Sequence, residues 1–354
     1  MPAPSRLLRP RLSWLLVFIP VSLITALVLH EPQTTFVCAC LAIMPLAGMV
    51  GKGTDELSIR TGPRVGGLLN ATFGNLTEII VSALLIVNGE LQVVKASLIG
   101  SILGNVLLVL GASLFAGGMR YREQRFSVRS SNVHAASLFM AVIGLIMPTL
   151  FVFSVQETTR ERLIVSAIVA CVLIVVYAAS LVFTLVTHQH LFHTPEGVAQ
   201  QAWPAWQALL LLVVAAVLVG IESELLVESL QPTVVSWGLS RVFIGVIVVA
   251  IIGNAAEHAA AVMFALRNQV EVSVEIAFGS ATQVALFVAP ALVFFSLIVD
   301  HPMDFIFTPI EVGAVGLSAT IVALLTLDGR SNWLEGLELL GVYVIVGASF
   351  FFLH

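Results

Sequence analysis

The stretch GNLTEIIVSALLI, Gly74–Ile86, places a carboxylate, Glu78, inside an apolar run with helical periodicity. An ionised side chain at bilayer depth is costly, so something elsewhere in the chain has to make Glu78 tolerable. That chain is membrane-like throughout. Of its 354 residues 58% are hydrophobic and only 10% are charged, and the mean hydropathy is +1.03. Such a composition cannot present an ordinary charged surface to water, and it predicts an all-α polytopic membrane protein embedded in the lipid bilayer. The net charge of −5 comes with no Lys/Arg-rich face, so nucleic acid is not an expected partner.

A span needs about 20 apolar residues, and polar or Gly/Pro punctuation separates the candidates. Eleven transmembrane helices are predicted, near residues 12–30, 35–56, 65–88, 91–117, 132–154, 162–186, 206–227, 241–267, 270–299, 305–326 and 333–353. No small-residue cleavage site follows SWLLVFIPVSLITALVL, so that segment is read as a retained first span. Cys38, Cys40 and Cys171 lie in apolar runs and are read as small buried hydrophobes. With a cytoplasmic N-terminus, the inner loops collect Arg6, Arg9, Arg11, Lys52, Arg60, Arg64, Arg120, Arg122, Arg125, Arg129, Arg267 and Arg330. The outer loops then hold only Lys95, Arg160, Arg162 and Arg241, a positive-inside bias.

The opening stretch has a second copy, AIIGNAAEHAAAVMFA, Ala250–Ala265. Gly74, Asn75 and Glu78 match Gly253, Asn254 and Glu257 at an offset of 179, and the same offset carries Gly100-Ser101 onto Gly279-Ser280. A register shared by two motifs marks a duplication. The offset spans five helices, an odd number, so the copies enter the membrane from opposite sides. The expected organisation is an N-terminal tail and leading helix (1–31), a first five-helix repeat (32–186), a cytoplasmic linker (187–205) and a second, inverted five-helix repeat (206–354). Inverted repeats with Gly-interrupted helices are a recurring plan of secondary transporters, with the substrate site at the repeat interface.

Asn75 and Glu78 are three residues apart on one helix face, as are Asn254 and Glu257. Ser101 with Asn105, and Ser280 with Gln283, mark single faces of the following helices. Brought together, the four faces give two carboxylates, amide oxygens and hydroxyls, with backbone carbonyls freed near the glycines. Hard oxygens with two negative charges favour Ca²⁺, while Na⁺ can use the same atoms and Mg²⁺ gives up its water reluctantly. When the site is empty the two carboxylates cannot both stay ionised cheaply and invite a proton, which Ca²⁺ expels on binding. Competition of this kind is the core of proton/cation antiport. His258, next to Glu257, is either a proton relay or a packing residue.

These residues resemble the cation/proton exchanger (CAX) family of the Ca²⁺:cation antiporter superfamily. The resemblance rests on NATFGNLTEIIVSALLI with GSILGNVLLVLG, and on FIGVIVVAIIGNAAEHAAAVMFALRN with GSATQVALFVAP, about a third of the chain. It implies Ca²⁺/H⁺ antiport by alternating access, with Glu78 and Glu257 as central metal and proton ligands. Asn75, Asn254, Ser101, Asn105, Ser280 and Gln283 would line the site, and no cofactor beyond the transported ions is implied. Many members carry an acidic segment between the halves; here the linker has one acid, Glu196, beside His188, His190 and His193, and is read as a solvated loop.

Other acids near span ends, Glu56, Glu222, Glu224 and Glu228, are read as interfacial residues or as a relay, and Glu311 opens the tenth span. Na⁺/Ca²⁺ or Na⁺(K⁺)/H⁺ exchange on the same architecture is the alternative function. An intramembrane enzyme lacks an H-E-x-x-H pair or a GxSxG elbow, and an ion channel fits poorly with inverted repeats. The short N-terminus suggests a prokaryotic inner membrane, and a homo-oligomer stays open.

Overall fold

The computed structural model describes residues 12–154, 158–188 and 203–353. Among the described residues ten helices are long and apolar enough to cross a membrane: α1 (Leu12–Leu29), α2 (Pro32–Gly62), α3 (Val65–Val87), α4 (Leu91–Arg120), α5 (Val128–Val152), α6 (Thr159–Thr187), α7 (Ala205–Trp237), α8 (Arg241–Ala265), α9 (Val270–Ile298) and, after a shorter apolar helix α10 (Pro309–Leu325), α11 (Trp333–Phe351). The eleven predicted helices are all present.

Three differences from the sequence expectation have local causes. Helix α7 continues ten residues past the predicted end at 227 and stops only at Gly238, whose φ of 63° is left-handed. Glu228 and Pro232 resemble punctuation, yet the Ser229 and Thr233 hydroxyls bond back onto the Leu225 and Ser229 carbonyls (2.6 and 2.7 Å) and carry the helix through. Helix α10 starts at Pro309 rather than near 305, because Thr308 and Glu311 form a capping box. Glu311 is thus a capping acid. The preceding backbone is buried but satisfied: Phe305 N–H donates to Ser166 Oγ (2.9 Å) and Phe307 N–H to Thr149 Oγ1 (2.9 Å). Cys38 and Cys40 are buried, whereas Cys171 is exposed on α6, a helix with few buried residues.

The loops sort to two ends of the bundle. At one end β1 (Gln124–Arg125) pairs antiparallel with β2 (Arg330–Ser331), and Gln124 Nε2 donates to the Ala265 carbonyl (2.9 Å). Trp203, entering α7, docks at the foot of α2: its N–H donates to Glu56 (2.9 Å), its carbonyl accepts from Arg60 (2.6 Å), and Lys52 Nζ lies 4.2 Å from its ring centroid. At the other end, Lys95 pairs with Asp304 (2.9 Å) and Arg241 with Glu90 (3.5 Å). One large apolar core joins most helices, and a small separate core of Leu46, Val50, Leu212, Ala215 and Val219 joins α2 to α7. Of the linker histidines, His188 stacks on Phe183 (centroids 4.0 Å apart); His190, His193 and Glu196 lie outside the described residues.

Candidate functional site

Helix α3 breaks where the sequence motif begins. It is helical to Phe73, Asn75 leaves helical geometry (φ −97°, ψ 18°), and the helix restarts at Leu76. Glu78 therefore stands in the first turn of a new helical segment, where the exposed N–H groups and the helix dipole favour negative charge. The second copy behaves differently. Helix α8 runs unbroken through Gly253 and Asn254, and its irregularity is a π-helical turn at Ile244–Val249, one turn earlier. Two further π-helical turns, Gly104–Val109 on α4 and Val284–Val288 on α9, follow the small-residue motifs of both halves. Such turns gather at functional sites because they re-aim side chains within a helix.

The predicted faces meet, and they do so across the two halves. Asn75 Nδ2 donates to Gln283 Oε1 (2.7 Å), Asn254 Nδ2 to Ser101 Oγ (3.2 Å), and Asn105 Nδ2 to Ser280 Oγ (3.0 Å). Asn105 and Asn254 also donate to the Ser101 and Ala250 carbonyls (2.9 and 3.0 Å). The Asn75, Asn105 and Asn254 amide nitrogens are all used while their oxygens are left over: Asn75 Oδ1, Asn105 Oδ1, Asn254 Oδ1, Glu78 Oε2 and Glu257 Oε2 are buried without a hydrogen-bond partner. Unpaired acceptors at this density are costly unless a cation or a proton fills the gap between them.

Access to the two carboxylates is unequal. Glu257 lines a cavity of about 540 Å³ together with Gly74, Gly253, Gly279, Ser280 and Gln283. Glu78 instead lines a void of only about 10 Å³ with Ser82, Ser97 and Ser101, and its carboxylate rests against Gly253, whose added Cβ would lie 3.3 Å from Glu78 Cγ. Gly100 is packed onto the Val246 backbone, whereas its counterpart Gly279 has nothing near it. His258 does not line the large cavity; its ring sits beside Gly104, and its Nε2 is buried without a partner.

Sequence reasoning missed Asp55, Asn70, Thr77 and Glu275, which also line the cavity. For Glu275 a signal was present: it stands four residues before Gly279 and eight before Gln283, on one helix face. Asp55 and Asn70 have Val234 and Val249 as their duplicate positions, so the repeat could not reveal them. Among the described residues no group of three or more His, Cys, Asp or Glu could hold a metal, so any cation here would rely on two carboxylates and neutral oxygens.

Two buried carboxylates ringed by unpaired oxygens, one of them lining a cavity, in a bundle of long apolar helices are features of an integral membrane ion exchanger. The family described as sodium/calcium exchanger protein matches residues 33–186 and again 207–352. The chain is 43% identical to a Ca²⁺/H⁺ antiporter of Aphanothece halophytica over 96% of this chain and 95% of that one. It is 40% identical to the Ca²⁺/H⁺ antiporter ChaA of Bacillus subtilis over 95% and 97%. The solved structure of native YfkE superposes with a TM-score of 0.86 at 37% identity, covering 97% of this chain and 100% of that one. The chain belongs to the sodium/calcium exchanger protein family, in its cation/proton exchanger branch.

Proposed function

We propose that this protein is a secondary active transporter that exchanges Ca²⁺ for H⁺, with Glu78 and Glu257 binding the two cations in competition. The observation that carries the reading is the set of five buried oxygens without partners at the meeting of α3, α4, α8 and α9. Ca²⁺ accepts six to eight flexible oxygen ligands, most of which that set would supply, and two protons on the carboxylates neutralise the same charge when Ca²⁺ leaves. The relatives at 40–43% identity are named Ca²⁺/H⁺ antiporters, which supports protons rather than Na⁺ as the counter-ion. The two halves act as five-helix repeats of opposite topology around this site. The cavity opens at the end that carries Lys52 and the Arg-rich loops, the cytoplasmic end by charge bias, in a prokaryotic plasma membrane. Proteoliposomes with imposed gradients test the function: Ca²⁺ uptake should follow ΔpH without Na⁺. In Glu78→Gln and Glu257→Gln, which keep shape but cannot ionise, uptake should fall at least about tenfold. Uptake that needs Na⁺ and ignores ΔpH would overturn the proton reading, and normal uptake in either variant would overturn the site.

A further inference from the structure

Glu222, on α7, lies outside the paired-carboxylate site. It is fully buried, its Oε1 lies 2.9 Å from Ser22 Oγ on α1, and its Oε2 is buried without a partner. The Ser22 hydroxyl also lies 2.7 Å from the Ile19 carbonyl, one turn back on its own helix. A hydroxyl has a single proton to donate. Shared between the Ile19 carbonyl and Glu222 Oε1, that one proton is the most an ionised Glu222 would receive. With Oε2 unpartnered, a charged Glu222 would be buried on at most one shared hydrogen bond, a cost that a proton on the carboxyl group removes.

The surroundings agree. Among the described residues no ion pair reaches Glu222. Of the elements packed on it, α2 offers the Cys38 thiol, α1 offers no titratable group before His30, and Glu78 of α3 is turned to Gly253. On α7 itself the neighbouring titratable groups are the acids Glu224 and Glu228. Beyond the pair, Thr25 Oγ1 donates to the Ser22 backbone carbonyl (2.9 Å), and Thr35 Oγ1 lies 2.9 Å from the Glu31 carbonyl and 3.1 Å from Thr25 Oγ1. Thr35 lines a separate cavity of about 210 Å³ with His30, Glu31 and Glu228, at the end of the bundle opposite Lys52.

We infer that Glu222 is a second proton-binding site of the transport cycle, apart from Glu78 and Glu257. It carries a proton while the Glu257 cavity is open. The transport role rests on the proton coupling proposed above; the protonation state does not, and the two are read separately. Glu222→Gln keeps the shape and can donate its amide N–H to Ser22 as the acid would. In the full chain in nanodiscs at neutral pH, infrared spectra should lose one carboxylic-acid C=O component in Glu222→Gln. That component should persist in the Glu78→Gln/Glu257→Gln double variant. Ser22→Ala should shift the pH at which it titrates.

In proteoliposomes Glu222→Gln should lower ΔpH-driven uptake by about a hundredfold, the low end for loss of a positioned proton carrier, and flatten its pH profile. No lost component in a folded Glu222→Gln protein means an ionised Glu222 and overturns the inference. A lost component with wild-type rate and pH profile makes Glu222 a structural donor and overturns the transport role. An unshifted titration in Ser22→Ala overturns the Ser22 assignment.

Discussion

Glu78 becomes tolerable at bilayer depth through two neighbours that its own helix could not supply alone. The break at Asn75 gives it a helix N-terminus, and Gly253 from the other half gives it room. Gly253→Ala tests the second neighbour. Its Cβ would stand 3.3 Å from Glu78 Cγ, so the carboxylate must shift by a few tenths of an ångström. Ca²⁺ affinity measured by calorimetry should weaken by about 1 kcal/mol, roughly fivefold, with the fold intact. Asn254→Ala removes an unpaired oxygen and the donor to Ser101 together. A loss of about 1–3 kcal/mol in Ca²⁺ binding is expected, and unchanged affinity would remove Asn254 from the ligand set.

Among the helices, glycines that correspond in sequence stand in opposite surroundings. Gly100 on α4 is pressed onto the Val246 backbone of α8, while Gly279 on α9 faces open space in the cavity. Gly100→Ala should therefore lower thermal stability by about 1–3 kcal/mol through overpacking, and Gly279→Ala should leave the unfolding midpoint within error. Equal effects would mean that the cavity is closed in solution. The contrast also marks what the sequence could disclose. The spans, the motif register and the four faces were legible because hydropathy, a constant offset and helical spacing are local or repetitive signals. The break at Asn75 without its mate at Asn254, the ten extra residues of α7 and the cavity roles of Asp55 and Asn70 were not. Each depends on which half is open, or on hydroxyl-to-carbonyl bonds around a proline, and neither leaves a periodic trace.

At the scale of the molecule, the end away from the cavity is latched by two ion pairs that join the halves, Lys95 with Asp304 and Glu90 with Arg241. Both are partly exposed, so each contributes at most about 1 kcal/mol. Lys95→Met with Glu90→Gln should then raise the population open at that end by up to about thirtyfold if the two contributions add. Spin labels at Asn88 and Asp300, in a chain freed of Cys38, Cys40 and Cys171, should report it as a longer distance component. An unchanged distribution would show that the closure rests on the apolar core alone. The opposite end holds Trp203, with Lys52 over its ring and with Glu56 and Arg60 holding its backbone. Because Lys52 also lines the cavity mouth beside Asp55, a cation arriving there changes the field at the indole. The protein thus carries an optical gauge of its own filling, and Trp203 emission should change as Ca²⁺ enters, ahead of any movement of the far end.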